Sequence, residues 1–204
     1  MALQTIQGLF AVPVGQYVLD NELTTHERDF ILEQTRRPNM GNTSSADNYI
    51  LNNSIMSRLH QEIETMVNDF FRQIFQPRTD CSLYITQSWA NYTETNQYHH
   101  KHNHPNSIVS GVLYISVDNQ QDRIKFFREE TDRTFKVYTD NYNIYNSESW
   151  WFEVGNNQVF LFPSTLSHMV ENTTSESTRV SVAFNTFLQG TVGDYNELTE
   201  LKLK

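Results

Sequence analysis

The chain has 204 residues, 38% hydrophobic and 13% aromatic, enough apolar mass for one domain with a buried core and too much for wholesale disorder. Its formal charge of −9, with no block of Lys or Arg, argues against a protein whose main task is gripping nucleic acid, because phosphate contacts need clustered cations. The single cysteine, Cys81, has no partner for a disulfide, rules out a thiolate-only zinc site, and is expected as a buried small hydrophobe.

Residues 3–19 alternate around Val, Phe and Tyr and predict one or two short strands broken at Pro13. They lack the basic flank and long apolar core of a signal peptide, and no window approaches the roughly 20 apolar residues of a membrane span, so the expectation is a soluble cytoplasmic protein. "TTHERDFILEQTRR" (24–37) opens on Thr caps and acidic residues and predicts a helix stopped by Pro38. The clearest helix lies at 53–75, where Ile55, Leu59, Ile63, Met66, Val67, Phe70 and Ile74 form one stripe.

Beyond Pro77 the pattern becomes β-branched and aromatic. "CSLYITQSWANYTE", "IVSGVLYISV", "RIKFFRE", "RTFKVYT", "SWWFEV", "QVFLFPS" and "TRVSVAFNTFL" read as short strands between polar turns, and "ELTELKLK" as a last strand or tail. Helices followed by strands predict an α+β fold: a single domain over 1–204, with helical support mainly in 20–76 and an antiparallel barrel or sandwich over 80–190. No internal repeat or linker divides it.

Four of the seven histidines, His99, His100, His102 and His104, crowd six positions before one strand, and His168 follows another. On extended backbone alternate side chains share a face, so His102 and His104 can address one cation, with His100 beside them. Imidazole suits Fe, Zn, Cu and Ni. Arg179 and Ser181 fall on one strand face shortly after His168, and a guanidinium fork with an adjacent hydroxyl is a carboxylate clamp. The pattern implies a metal beside an anion site. Asn91, Tyr92 and Tyr114 are candidates to line that pocket, while Trp89 is expected in the core. Asn185 could face the cavity or end a strand. The aromatic segment 138–151 could form a substrate lip or pack on the barrel. His26 and His60, on helices, receive no role.

"HNHPNSIVSGVLYIS" together with "FPSTLSHMVENTTSESTRVSVAFN" resembles the 2-oxoglutarate/Fe(II)-dependent oxygenase superfamily, and within it an oxygenase group of phages and marine bacteria. The likeness reaches upstream to "LFAVPVGQYVL", the long helix and "QSWANYT". It implies a double-stranded β-helix (jelly roll) backed by the N-terminal helices, with His102 and His168 as Fe(II) ligands and Arg179, assisted by Ser181, on the distal carboxylate of 2-oxoglutarate. The implied reaction couples oxidative decarboxylation of 2-oxoglutarate to hydroxylation of a C–H bond on a small molecule or a peptidyl side chain such as proline, and admits ascorbate as an accessory reductant. A phage gene would place it in the host cytoplasm. This sequence departs from the family where a carboxylate usually stands two residues after the first ligand: here the residue is His104. Three readings follow: His104 ligates in a neutral three-His site, water fills the position, or His100 and His102 form the pair. The first is preferred, giving His102, His104 and His168. Two other functions stay open: a cupin-like three-His dioxygenase without 2-oxoglutarate, and a non-catalytic jelly-roll module, such as a virion component, whose histidines are vestigial or hold zinc.

Overall fold

A computed structural model of the chain describes residues 5–128 and 137–203. The first helix, α1 (Thr25–Leu32), starts at a capping box: Thr24 Oγ1 accepts the Glu27 N–H, and the Glu27 carboxylate accepts the Thr24 N–H in return. It stops at Leu32 rather than Arg37, and Arg36–Pro38 becomes an edge strand. Side chains decide this. Extended backbone lets Arg36 lie over the Tyr92 ring, 4.0 Å from its centroid, and lets Arg37 donate to Asn48. Pro38 is tolerated there because an edge strand need not donate. The long helix, α2 (Ser57–Phe75), buries Leu59, Ile63, Met66, Val67 and Phe70 as the stripe predicts. Its ends differ: Ile55, in a preceding 3₁₀ turn, and Ile74 are exposed, and Phe71 joins the core instead.

Twelve strands follow the chain: β1 (Gly15–Val18), β2 (Arg36–Pro38), β3 (Thr43–Ser45), β4 (Cys81–Thr93), β5 (His99–His102), β6 (Val109–Ser116), β7 (Arg123–Phe127), β8 (Ser149–Glu153), β9 (Gln158–Pro163), β10 (His168–Val170), β11 (Arg179–Val192) and β12 (Leu201–Leu203). The strand expected at 133–139 lies largely outside the described residues, and its described end, 137–139, is not strand. The larger sheet has the order β1-β9-β6-β11-β4-β3-β2, with β12 on β11; the smaller is β5-β10-β7-β8. All these pairings are antiparallel, and the two sheets stack as a jelly roll, a double-stranded β-helix. Among the described residues no helix is long and apolar enough to cross a membrane.

The period of two sorts each central strand into a helix-facing and a cavity-facing set. On β11, Val180, Val182 and Phe184 join the cluster that packs α1 and α2, while Arg179, Ser181 and Ala183 line the space between the sheets. Tyr114, Phe160 and Phe162 fill the inter-sheet core beside that space. Close packing also fixes Gly111, since a Cβ there would meet the Phe184 ring at 2.2 Å. Cys81 is only partly buried, at the edge of the helix-side cluster.

Candidate metal centre

The histidines do not merely flank strands. They make two of them, paired side by side: His168 on β10 lies opposite His102 on β5 and opposite Phe126 on β7, which in turn pairs with Trp150 on β8. Cross-strand partners share a face, so one row runs His102–His168–Phe126–Trp150 along the inner surface of the small sheet. His104 enters from the loop after β5. Its N–H donates to Ser164 O at 2.9 Å, and the next turn places Pro105 before Asn106 with φ +60°, the left-handed conformation that Asn tolerates. Ser107, Ser110, Ser164 and Asn185 form a buried hydrogen-bonded chain that ties this loop to β6, β9 and β11. Asn185 therefore braces the loop rather than lining the cavity.

One ring nitrogen each of His102, His104 and His168 lies within 4.8 Å of the others, and the Nε2 atoms of His104 and His168 are 3.3 Å apart. The orientation is set from behind. His102 Nδ1 lies 2.7 Å from His100 O and His168 Nδ1 lies 3.0 Å from Leu166 O. A carbonyl can only accept, so both Nδ1 atoms carry the proton and both Nε2 lone pairs are free. Burial depresses all three imidazoles, His104 to about 4 and His168 well below its ordinary value, with the neighbouring rings adding to the effect. They are neutral donors at pH 7. Convergent neutral imidazoles, two of them with their tautomer fixed by a backbone carbonyl, suit a borderline divalent transition ion. Among the described residues no Asp or Glu lines the cavity.

The same cavity is also lined by Asn91, Tyr114, Arg179 and Ser181. Register explains the grouping: Ser181 on β11 pairs with Tyr114 on β6 and with Asn91 on β4. In this row Asn91 Oδ1 is buried with no hydrogen-bond partner among the described residues, and the buried Tyr114 OH has no neighbour there but the Arg179 guanidinium. Burial raises the Tyr114 phenol to about 12 against the opposing pull of Arg179, which keeps it protonated and able to donate. Arg179 is 3% exposed; its Nη1 donates to Arg123 O at 2.9 Å and lies 3.7 Å from the buried Asp122 carboxylate. The guanidinium carbon lies 5.1 Å from the centre of the Tyr114 ring, in the same cavity. A dicarboxylate could satisfy the row and the fork together. Tyr92 belongs elsewhere: it is buried on the helix side, where its OH donates to Ile31 O.

Two expectations change. His99, not His100, lines the cavity, because β5 carries a bulge: His102 pairs with His168 but His99 pairs with Val170, three residues spanning two. His168 and Val170 share a face, so His99 and His102 do too, and their rings stack at 4.5 Å. Alternation alone selects His100, and no residue in "HHKH" announces the bulge. Trp89 is cavity wall rather than core, its ring 5.8 Å from His104. In the segment 138–151, Trp150 and Trp151 are both half-exposed, Trp150 on the inner face of the small sheet and Trp151 beneath the Arg123 guanidinium at 4.1 Å. Away from the site, His26 is exposed and His60 bonds Leu51 O through Nδ1.

Residues 87–185 match a family model described as "Putative 2OG-Fe(II) oxygenase", a stretch that contains every cavity histidine and Asn91, Tyr114, Arg179 and Ser181. No curated protein matches the sequence. Several solved structures share the fold. HygX from Streptomyces hygroscopicus, crystallised with nickel, 2-oxoglutarate and hygromycin B, superposes with a TM-score of 0.58 at 9% identity, over 86% of this chain and 82% of that one. A prolyl-4-hydroxylase from Pseudomonas putida gives 0.53 at 10% identity, over 85% and 92%. An oxidoreductase of the 2OG-Fe(II) oxygenase family from Burkholderia pseudomallei gives 0.53 at 12%, over 84% of each chain. At such identities the structural likeness carries the fold alone. The family match runs through the strands that build the cavity, so it is this part of the chain, residues 87–185, that is similar to the 2-oxoglutarate/Fe(II)-dependent oxygenases.

Proposed function

We propose that the chain is a 2-oxoglutarate-dependent oxygenase that hydroxylates a C–H bond, with His102, His104 and His168 holding Fe(II) and Arg179, Ser181, Tyr114 and Asn91 holding 2-oxoglutarate. The observation that carries this reading is one cavity lined by three convergent neutral imidazoles and a buried arginine. When bound, iron with 2-oxoglutarate supplies the activation of O2: substrate C–H, O2 and 2-oxoglutarate become alcohol, succinate and CO2. The chain's share is positioning and electrostatics. Arg179 pairs the distal carboxylate, Ser181 and Tyr114 donate hydroxyl hydrogen bonds to it, and Phe162 and Ile124 exclude water behind it. The three-His donor set lacks a carboxylate and so leaves the full dipositive charge of the ion to attract a dianionic cosubstrate. The substrate is a small molecule or a peptidyl side chain such as proline, and ascorbate serves as accessory reductant.

A cupin-like dioxygenase also fits three histidines, but it has no use for a buried guanidinium in the same cavity. The test is an anaerobic titration of Fe(II)-loaded protein with 2-oxoglutarate, followed through the visible charge-transfer band that chelation produces. The band is expected in the wild type, is lost in His168→Ala and is weakened in Arg179→Ala. Its absence from the wild type, or its survival in His168→Ala, overturns the proposal.

A further inference from the structure

The bulge that turns His99 inward builds a second constellation. One ring nitrogen each of His99, His100 and His102 lies within 4.8 Å of the others. The ring centroids are 5.3 Å apart for His99 and His100 and 4.9 Å for His100 and His102. All three side chains are half-buried, within reach of a solvated ion. His100 Nδ1 is buried with no hydrogen-bond partner, and the His99 ring makes no hydrogen bond among the described residues. Unpartnered buried polar atoms in a native fold call for a ligand or water. Neither ring has an acidic neighbour to satisfy it within this group.

We propose that His99, His100 and His102 form a second transition-metal site, mutually exclusive with the His102–His104–His168 set because both draw on the same nitrogen of His102. His102 Nδ1 is committed to His100 O at 2.7 Å, so only Nε2 is left to ligate. The chain therefore binds one ion at a time, in one of two neighbouring positions. All-imidazole ligation selects Zn(II), Ni(II), Cu(II) or Co(II) over Mg(II) and Ca(II). Because both sets need His102, an ion in the second set withdraws that residue from the site proposed for catalysis. Such an ion inhibits by competing for His102, from the side of the cavity that His99 lines.

Calorimetric titration of the full chain with Ni(II) tests this. Wild type is expected to take up one equivalent. His104→Gln/His168→Gln removes the first set and is expected still to bind one equivalent, whereas adding His99→Gln/His100→Gln to it lowers affinity by about 100-fold or more. His99→Gln/His100→Gln alone leaves the first set complete and keeps one equivalent. Where the change at buried His168 impairs folding, judged by circular dichroism, His104→Gln alone serves: removing His99 must abolish tight binding in that background and not in the wild type. Two equivalents on the wild type overturn the exclusivity, and no binding by the folded His104→Gln/His168→Gln protein overturns the site. The variants address separate residues, so failure here is distinct from failure of the first metal set.

Discussion

At the scale of single residues, the most consequential neighbour of the cavity is one that does not line it. Asp122, 3% exposed, takes the Asp118 N–H on Oδ2 and presents Oδ1 to Arg179 at 3.7 Å. Two buried opposite charges at that separation are in place before any ligand arrives. Removing one of them strands the other in a low dielectric. Asp122→Asn is therefore expected to destabilise the fold by about 3 kcal/mol, measured by urea denaturation. A carboxylate ligand can restore the missing charge. 2-Oxoglutarate should accordingly raise the melting temperature of Asp122→Asn more than that of the wild type, and an equal rise in both would deny the shared role of the guanidinium. The residues of this row were legible in the sequence because a two-residue step along a strand keeps side chains on one face: Arg179 to Ser181 obeys it. Asp122 was not legible. It reaches the site from the turn before β7, across 57 positions of chain from Arg179, a proximity that only tertiary folding creates.

At the scale of elements, α1 is short and weakly amphipathic, and it is held by its start rather than its length. Glu27 joins the capping box to α2 through a fork, accepting from Arg58 Nε at 3.0 Å and from Nη2 at 2.8 Å. Burial alone would raise this carboxyl, but the Arg58 and Thr24 hydrogen bonds outweigh it and hold the group below its ordinary 4.5. A depressed folded value means the unfolded chain binds the extra proton first, so the contribution is fully present above about 4.5 and is lost as pH falls through the folded value. Glu27→Gln is expected to cost about 2 kcal/mol at pH 7, with the gap to wild type closing below pH 4.5. A gap that stays constant down to pH 3 would mean that packing, not charge, carries the effect. The hydrophobic stripe foretold α2, and the Thr24 cap foretold where α1 begins. The end of α1 was hidden because stacking on Tyr92, some 60 positions away, decides it. The β5 bulge was hidden for a related reason: a register shift is a property of two strands, and β10 lies far along the chain from β5.

At the scale of the whole molecule, the architecture divides labour between two faces of one sheet. The helix-facing side chains of the large sheet supply a continuous apolar cluster, leaving the opposite face free to hold polar residues that a monotonous core would exclude. The α+β class and the late run of strands followed from composition and periodicity, whereas the pairing of His102 with His168 required the jelly-roll connections that place β10 between β5 and β7. That same order carries Trp150 onto the line of His102, His168 and Phe126, half-exposed at its outer end and two strand spacings, about 10 Å, from His168. An indole so close to a paramagnetic ion loses its excited state to it. In a Trp89→Phe/Trp151→Phe background, Co(II) is expected to dim the emission of Trp150 while Zn(II), with its filled d shell, leaves it bright; equal emission with the two ions would place the indole out of reach of the site. The barrel rim thus doubles as a fluorescent gauge of occupancy, readable before any substrate is known.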